Sequence, residues 1–167
     1  MFDPSYTEEQ QALVDTARKF AAEHIIPVAG EYDERAEHPA EVFEAAFELG
    51  MMNVEIPEAY GGLGLDTLEG CLVAEQLAYG CAGIATSIMC NHLGALPLMI
   101  AGTEEQKSKY LEWLTGELTF ASYCCSEPEA GSDVAGMRTR LTKDGDGWVL
   151  SGQKRWITNG GLASFYT

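Results

Sequence analysis

The chain has 167 residues, and its 26 Asp and Glu outnumber its 10 Lys and Arg, so its formal net charge is −16 at pH 7. Nucleic acid is therefore not an expected partner, since phosphate binding needs clustered cations. With 46% hydrophobic and 22% charged residues, the composition is that of an ordinary globular protein and excludes disorder, collagen and coiled coil.

Charge and cysteine usage add two expectations. Residues 1–118 hold 21 acidic and 5 basic side chains, whereas residues 119–167 hold 5 of each. We therefore divide the chain into domains 1–118 and 119–167, with the boundary near residues 116–120. The five cysteines are an odd set without a CxxC pair, and no basic, apolar leader opens the chain, which favours a reducing cytoplasm or a matrix-like compartment.

The first domain is predicted to begin with two helices. Thr7 and Gln10 have the spacing of a capping box, which predicts a helix start, and Pro27 disturbs the apolar pattern that follows. A second helix is predicted to start with Pro39 in its first turn and to close at Gly50. Its predicted solvent face holds Glu41, Glu44 and Glu48, and its predicted buried side holds Val42, Ala45, Ala46 and Leu49.

Further helices are predicted after the loop formed by residues 56–64, whose glycines and proline suit neither helix nor strand. Asp66 or Thr67 is predicted to cap a third helix, which runs through Leu72, Val73, Gln76 and Leu77. A second capping box, Thr103 to Gln106, opens a last helix that ends near Gly116.

The uncharged run from Gln76 to Thr103 is long enough to span a bilayer. Its Gly, Pro, Asn, His, Thr and Ser residues make it only moderately apolar, and no cationic flank anchors either end. We therefore interpret the run as a helix buried inside an all-helical domain, with no membrane span.

The second domain is predicted to consist of strands. Residues 118–125 are apolar and aromatic, and residues 138–142 and 148–151 flank a Lys-Asp-Gly-Asp-Gly turn that predicts a tight hairpin. Two more strands are predicted, at 154–158 and at 162–167. Since the last strand stops with the chain and leaves an unpaired edge, we expect the sequence to be part of a longer polypeptide.

Two stretches of the second domain could carry chemistry. Residues 126–136 follow an apolar strand and combine hydroxyls with glycines, an arrangement that suits a flat polar ligand or an anionic group. In the predicted strand 154–158, Trp156 and Thr158 are two residues apart and thus on one face. An indole beside a hydroxyl can cover an aromatic ring and bond its polar rim.

These stretches resemble a known family. Residues 123–133 resemble the signature of the acyl-CoA dehydrogenases, and Gly152-Gln153-Lys154-Arg155-Trp156-Ile157-Thr158-Asn159-Gly160-Gly161 resembles that family's second flavin-contacting strand. The segments 56–62, 78–83, 91–94 and 101–107 are also similar to family stretches. The resemblance is nearest to the short- and medium-chain type. It implies an α+β fold: an N-terminal all-helical domain followed by the first strands of a β-barrel-like middle domain, without the family's C-terminal helical-bundle domain.

The resemblance implies roles for particular residues. Ser126 would bond the pyrimidine side of the flavin ring, Trp156 would cover one face of the ring, and Thr158 would bond near the atom that receives hydride. Ser132 would also contact the acyl-CoA. The implied FAD contacts are Tyr123, Cys125, Ser126, Gly131, Ser132, Trp156, Ile157 and Thr158, and the implied acyl-tail contacts are Thr86, Met89 and Cys90.

The activity implied by the resemblance is FAD-dependent α,β-dehydrogenation of an acyl-CoA to the trans-2-enoyl-CoA in fatty acid β-oxidation. Electrons would pass to an electron-transfer flavoprotein, and the enzyme would be a homotetramer in a bacterial cytoplasm or a mitochondrial matrix. No catalytic residue is expected in this chain, since the family's glutamate base lies in the C-terminal domain, so the fragment alone would be inactive. A flavin oxidase of the same fold, and a non-catalytic subunit or acyl-CoA-binding module, remain open alternatives.

Several residues have simpler interpretations. Glu127 and Asp133 are expected to accept hydrogen bonds from backbone donors of their loop, without acid or base function. Cys124 and Cys125 point to opposite sides of an apolar strand and are expected to be inert thiols. His92 is interpreted as a hydrogen-bonded core histidine, and the three histidines make no metal pattern.

Overall fold

The computed structural model describes residues 5–167. The expectation about a leader involves residues 1–4 and therefore lies outside the described residues. The described part begins with a helical region and continues into short strands. The helices are α1 (Glu8–Phe20), α2 (Ile26–Arg35), α3 (Ala40–Glu48), α4 (Thr67–Gly80), α5 (Ala82–Ala101) and α6 (Glu104–Gly116). The strands are β1 (Ala121–Ser122), β2 (Arg140–Asp144), β3 (Gly147–Ser151) and β4 (Phe165–Tyr166).

The capping boxes occur where the sequence predicts them. The Thr7 hydroxyl accepts from the Gln10 amide at 3.1 Å and the Gln10 side chain accepts from the Thr7 amide at 3.2 Å. Thr103 and Gln106 repeat this exchange at the start of α6. Asp66 caps α4 in the same manner, with Glu69 as its partner. Each box satisfies amides that the first helical turn leaves unpaired.

Pro27 changes the helix without ending it. A five-residue π-helical turn, Ala21–Ile25, joins α1 to α2, and Pro27 stands in the first turn of α2. Proline has no amide to donate and its ring crowds the carbonyl four residues earlier, so a wider turn lets the chain continue.

The helical core forms between α1, α3, α4 and α5. Phe20, Phe43, Val73 and Ile88 are among its buried side chains. On α3 the predicted glutamate face is exposed, and Val42 and Ala46 are buried as predicted. The prediction for Leu49 is wrong: this residue, which directly follows the last residue of α3, is 52% exposed.

Helix α5 is the one helix in residues 5–167 that is long and apolar enough, by these two measures, to cross a membrane. It packs on α4, α6 and β1. Asn91, in its middle, is fully buried and is satisfied by hydrogen bonds to Thr119, Ala121 and Asn53. These contacts agree with the interpretation of α5 as a core helix.

The predicted hairpin is confirmed, with three of its four strand ends shifted. Strands β2 and β3 pair antiparallel from Arg140↔Ser151 to Asp144↔Gly147, and Gly145 takes φ +57° at the start of the two-residue turn. Two-residue hairpin turns need a positive φ at their first residue, and glycine adopts this conformation readily. Strands β1 and β4 form a separate parallel pair and are shorter than predicted.

The strand predicted at 154–158 is wrong. Trp156 has φ +61° and Asn159 has φ +58°, values that an extended strand cannot contain. Residues 157–163 instead form turns, with amides of Gly160, Leu162 and Ala163 donating to the carbonyls of Ile157 and Asn159. The argument that Trp156 and Thr158 share a strand face therefore does not hold in this structure.

Candidate functional site

An apolar groove of about 330 Å³ lies between α4 and α5. Because alanines from both helices face it, the backbones leave room between them. The groove is lined by Ala74, Ala78, Ala82, Ala85, Thr86, Met89, Cys90, Leu93 and Thr158. The three residues with an implied acyl-tail role, Thr86, Met89 and Cys90, all belong to this lining.

The polar side chains that α5 contributes to the groove wall, Thr86 and Cys90, have partners within the protein. The Thr86 hydroxyl donates to the Ala82 carbonyl of its own helix at 2.7 Å. The Cys90 thiol lies 3.8 Å from the Thr158 carbonyl oxygen, and burial raises the pKa of this thiol. The wall therefore offers van der Waals contact to a ligand, with few free hydrogen-bonding groups, which suits an alkyl chain.

Thr158 joins this groove to the second half of the chain. Its carbonyl accepts a 2.7 Å hydrogen bond from the Ser122 hydroxyl of β1, as well as the contact from Cys90. The next residue, Asn159, donates from its side-chain amide to the Ser87 carbonyl of α5 at 2.9 Å. The structure thus places one residue of the predicted flavin set among the residues of the predicted tail set.

Two further parts of the predicted flavin set lie side by side. The Arg155 amide donates to the Ser126 carbonyl at 2.9 Å, and the Lys154 ammonium donates to the Cys125 carbonyl at 3.1 Å. Tyr123 is exposed, whereas Cys125, Ser126 and Ile157 are half-buried.

Trp156 is 79% exposed, and the Arg155 guanidinium lies 4.4 Å from its ring centroid. The indole thus presents a large apolar surface that the described residues leave uncovered.

Gly131 and Ser132 stand apart from this cluster. Both are exposed, and nothing lies within 4 Å of the position that a Cβ on Gly131 would occupy. Among residues 5–167, neither lines the groove between α4 and α5. Their implied contacts stay predictions.

Glu127 lies at the base of the same loop with its side chain only 5% exposed. Its carboxylate accepts from the Arg138 amide at 2.6 Å, the Thr139 amide at 3.0 Å and the Lys154 ammonium at 3.0 Å. Thr139 and the Arg138 amide, together with Lys154, lower the pKa of Glu127 from 4.5 to about 2. The prediction that Glu127 serves backbone donors is confirmed.

The other simple interpretations have mixed outcomes. Asp133 is exposed, and it is its main-chain carbonyl that accepts the Gly136 amide. Cys124 and Cys125 are free thiols, as are the other three cysteines. His92 is half-buried with its Nδ1 3.2 Å from a carboxylate oxygen of Glu55. Within the described residues, no group of three His, Cys, Asp or Glu side chains could hold a metal ion.

Asn91 is a structural residue of the site that sequence reasoning did not single out. Its Oδ1 accepts from the Ala121 amide at 2.9 Å, and its Nδ2 donates to the Thr119 carbonyl at 3.0 Å. It thereby fixes the start of β1 against α5. The sequence signal for this role is the position of Asn91 in the middle of an uncharged, predicted helical run. A polar side chain that is buried there needs hydrogen-bond partners from another segment.

Comparisons with known proteins agree along the whole described chain. Residues 7–117 match the acyl-CoA dehydrogenase N-terminal domain, and residues 122–167 match the acyl-CoA dehydrogenase middle domain. A Caenorhabditis briggsae protein named "Probable medium-chain specific acyl-CoA dehydrogenase 2, mitochondrial" is 46% identical over 159 residues, which are 95% of this chain and 39% of that protein. The chain spans about two fifths of the length of the curated relatives it matches.

Solved structures give the same result. The acyl-CoA dehydrogenase of Bacillus anthracis complexed with FAD is 32% identical, with a TM-score of 0.89 over 99% of this chain and 29% of that one. The butyryl-CoA dehydrogenase of Megasphaera elsdenii is 34% identical, with a TM-score of 0.88 over 99% of this chain and 44% of that one. Sequence and fold agree over both halves, and the chain therefore belongs to the acyl-CoA dehydrogenase family.

Proposed function

We propose that the full-length protein is an FAD-dependent acyl-CoA dehydrogenase of the short- or medium-chain type. The reaction removes a proton from Cα and a hydride from Cβ of an acyl thioester and leaves the trans-2-enoyl thioester. The observation that carries the proposal is the position of Thr158, which lies on the groove wall beside Thr86, Met89 and Cys90. A flavin-contacting segment and an acyl-tail groove would thus be adjacent.

The residues present fit the flavin. Trp156 supplies an exposed aromatic surface, and the Arg155 to Ser126 hydrogen bond brings the hydroxyl-bearing loop alongside the segment that carries Trp156. FAD, when bound, accepts the hydride. The proposed holding residues are Tyr123, Cys125, Ser126, Gly131, Ser132, Trp156, Ile157 and Thr158.

We propose that residues 1–167 position the acyl-CoA and exclude water from its alkyl tail. The apolar wall of α4 and α5 would hold the alkyl tail, so that Cα and Cβ stop at a defined depth. Ser132 would bind the polar part of the acyl-CoA. The base that takes the Cα proton would lie outside residues 1–167, and none of the chain's 26 acidic residues is assigned that role.

The remaining proposals concern the domain boundary, the electron acceptor, the oligomeric state and the cellular compartment. By similarity to the family, we place the domain boundary near residues 116–120, and we expect an electron-transfer flavoprotein as acceptor, a homotetramer, and a role in fatty acid β-oxidation. The mitochondrial name of one relative and the mycobacterial source of another support a mitochondrial matrix or a bacterial cytoplasm.

The test is the visible spectrum of the purified full-length protein, recorded before and after anaerobic addition of a medium-chain acyl-CoA. A flavin band that bleaches supports the proposal. A colourless protein, or a yellow one that does not bleach with acyl-CoAs of any length, contradicts it and favours a non-catalytic subunit. Rapid oxygen consumption during turnover would instead indicate a flavin oxidase of the same fold.

A further inference from the structure

Three separate stretches of the chain meet at one buried carboxylate. Glu127 receives hydrogen bonds from the amides of Arg138 and Thr139, which precede β2, and from the ammonium of Lys154, which follows β3. With a side chain 5% exposed, it is the most enclosed carboxylate among the four ion pairs of the described residues. An ionised group in such a position is retained only if it is paired and hydrogen-bonded.

Lys154 connects the same stretches from the other side. Its ammonium donates to Glu127 and to the Cys125 carbonyl, and its side chain is 23% exposed. The backbone approaches closely here: a Cβ on Gly152 would lie 2.1 Å from the Thr139 hydroxyl oxygen. Gly152 and Thr139 can come this close because glycine has no Cβ.

These segments are not held by a β-ladder. Between 123–133 and 152–158, the one main-chain hydrogen bond that the structure gives joins Arg155 to Ser126. The ion pair and its bonds to backbone groups replace the ladder as the connection. Removal of either charge would leave the other enclosed without its ionic partner.

We propose that Glu127 and Lys154 are positioning residues, which fix the loop 123–133 against the segment 152–158 and thereby set Ser126 relative to Trp156. Ser126 directly precedes Glu127, and Trp156 lies two residues beyond Lys154, so a shift of the pair shifts both. The inference rests on the proposed function in that FAD is the ligand whose binding reports the arrangement.

The first measurement is the dissociation constant of FAD, by titration of the full-length apoprotein. Glu127→Gln and Lys154→Met are each expected to raise it about ten-fold, and the double variant at most about two-fold further, because both changes break one connection. Lys154→Arg, which keeps the cation, should stay within about three-fold of wild type. Asp146→Asn and Lys143→Met, exposed changes on the hairpin, are matched controls and should change the constant less than about two-fold.

The second measurement needs no flavin. Hydrogen exchange of the Arg138 and Thr139 amides should accelerate about ten-fold or more in Glu127→Gln and Lys154→Met, with exchange in α1 and α4 unchanged. If Glu127→Gln does not fold, the two Lys154 variants decide the matter. FAD affinity and amide exchange that both stay at wild-type values, or effects that add fully in the double variant, would overturn the inference. A wild-type protein that binds no FAD would overturn the proposed function instead.

Discussion

The side-chain amide of Asn159 donates a 2.9 Å hydrogen bond to the main-chain carbonyl of Ser87, which ties the turn after Thr158 to the first half of α5. Asn159 is 6% exposed and has φ +58°, a conformation that asparagine tolerates better than most residues. The position of Thr158 on the groove wall therefore depends on a contact between residues 72 apart in sequence.

Replacement of Asn159 tests this contact. Asn159→Asp keeps the size of the side chain but sets a carboxylate oxygen against the Ser87 carbonyl, and we expect it to lower the free energy of unfolding by about 1–3 kcal/mol. Asn159→Gly keeps the left-handed backbone and removes the donor, so its cost should be smaller. Urea denaturation followed by circular dichroism measures both, and an Asp variant as stable as wild type would contradict the assignment.

The contact between α5 and β1 predicts opposite effects for two glycines of one helix. A Cβ on Gly94 would lie 2.7 Å from the Cβ of Ala121, so Gly94→Ala should cost about 1–3 kcal/mol of stability. A Cβ on Gly83 would meet nothing nearer than 3.9 Å, so Gly83→Ala should gain up to about 1 kcal/mol. Thermal unfolding of the two variants should shift in opposite directions; equal shifts would argue against the close approach.

Asn91 predicts a large effect at a position with no implied role in chemistry. Asn91→Leu would leave the Thr119 carbonyl and the Ala121 amide buried without this partner, at a cost of about 2–5 kcal/mol. Ile100→Ala, at a 75% exposed position of the same helix, serves as control and should cost about 0.5 kcal/mol or less. Similar losses in the two variants, measured by urea denaturation, would refute the role given to Asn91.

The groove predicts how acyl-chain preference can be changed. Ala78→Phe places a ring in the space between α4 and α5. For each methylene of the acyl chain that the ring excludes, the transition state should lose about 0.8 kcal/mol of binding free energy, which lowers kcat/KM roughly four-fold. The loss should therefore grow with acyl length across a series of straight-chain acyl-CoAs, while the shortest substrates change little. Glu75→Gln, exposed on the same helix, is the control. A loss that is uniform across chain lengths would place the tail elsewhere.

Acid should weaken the protein through Glu127. Its pKa in the folded protein is about 2, below the ordinary value of 4.5, so ionisation stabilises the fold above pH 4.5 and this contribution is lost as the pH falls from 4.5 towards 2. The stability difference between wild type and Glu127→Gln should thus be constant near neutral pH and shrink below pH 4.5. In Lys154→Met, which removes one cause of the lowered pKa of Glu127, the loss should begin at the same pH but be smaller and end at a higher pH. Urea denaturation at several pH values measures this, and a difference independent of pH would exclude an ionised Glu127.

The local signals in the sequence were sufficient for the helices and the hairpin. Thr7, Asp66 and Thr103 each begin a helix because a cap and its partner are three residues apart, a relationship that needs no distant contact. The turn at Gly145 is local in the same sense. The helix pattern placed Leu49 on the buried side of a helix closing at Gly50, whereas α3 ends at Glu48 and Leu49 is exposed.

By itself, the sequence determined the helical first part, the hairpin and the motifs that carry the family resemblance, since each depends on residues close together in the chain. Only the tertiary structure decided that residues 154–158 turn at Trp156, that Thr158 shares a groove with Met89, and that Glu127 pairs with Lys154. Residues 27 to 72 apart in sequence make these contacts, so their geometry depends on packing between distant parts of the chain. No periodicity in the sequence encodes such packing.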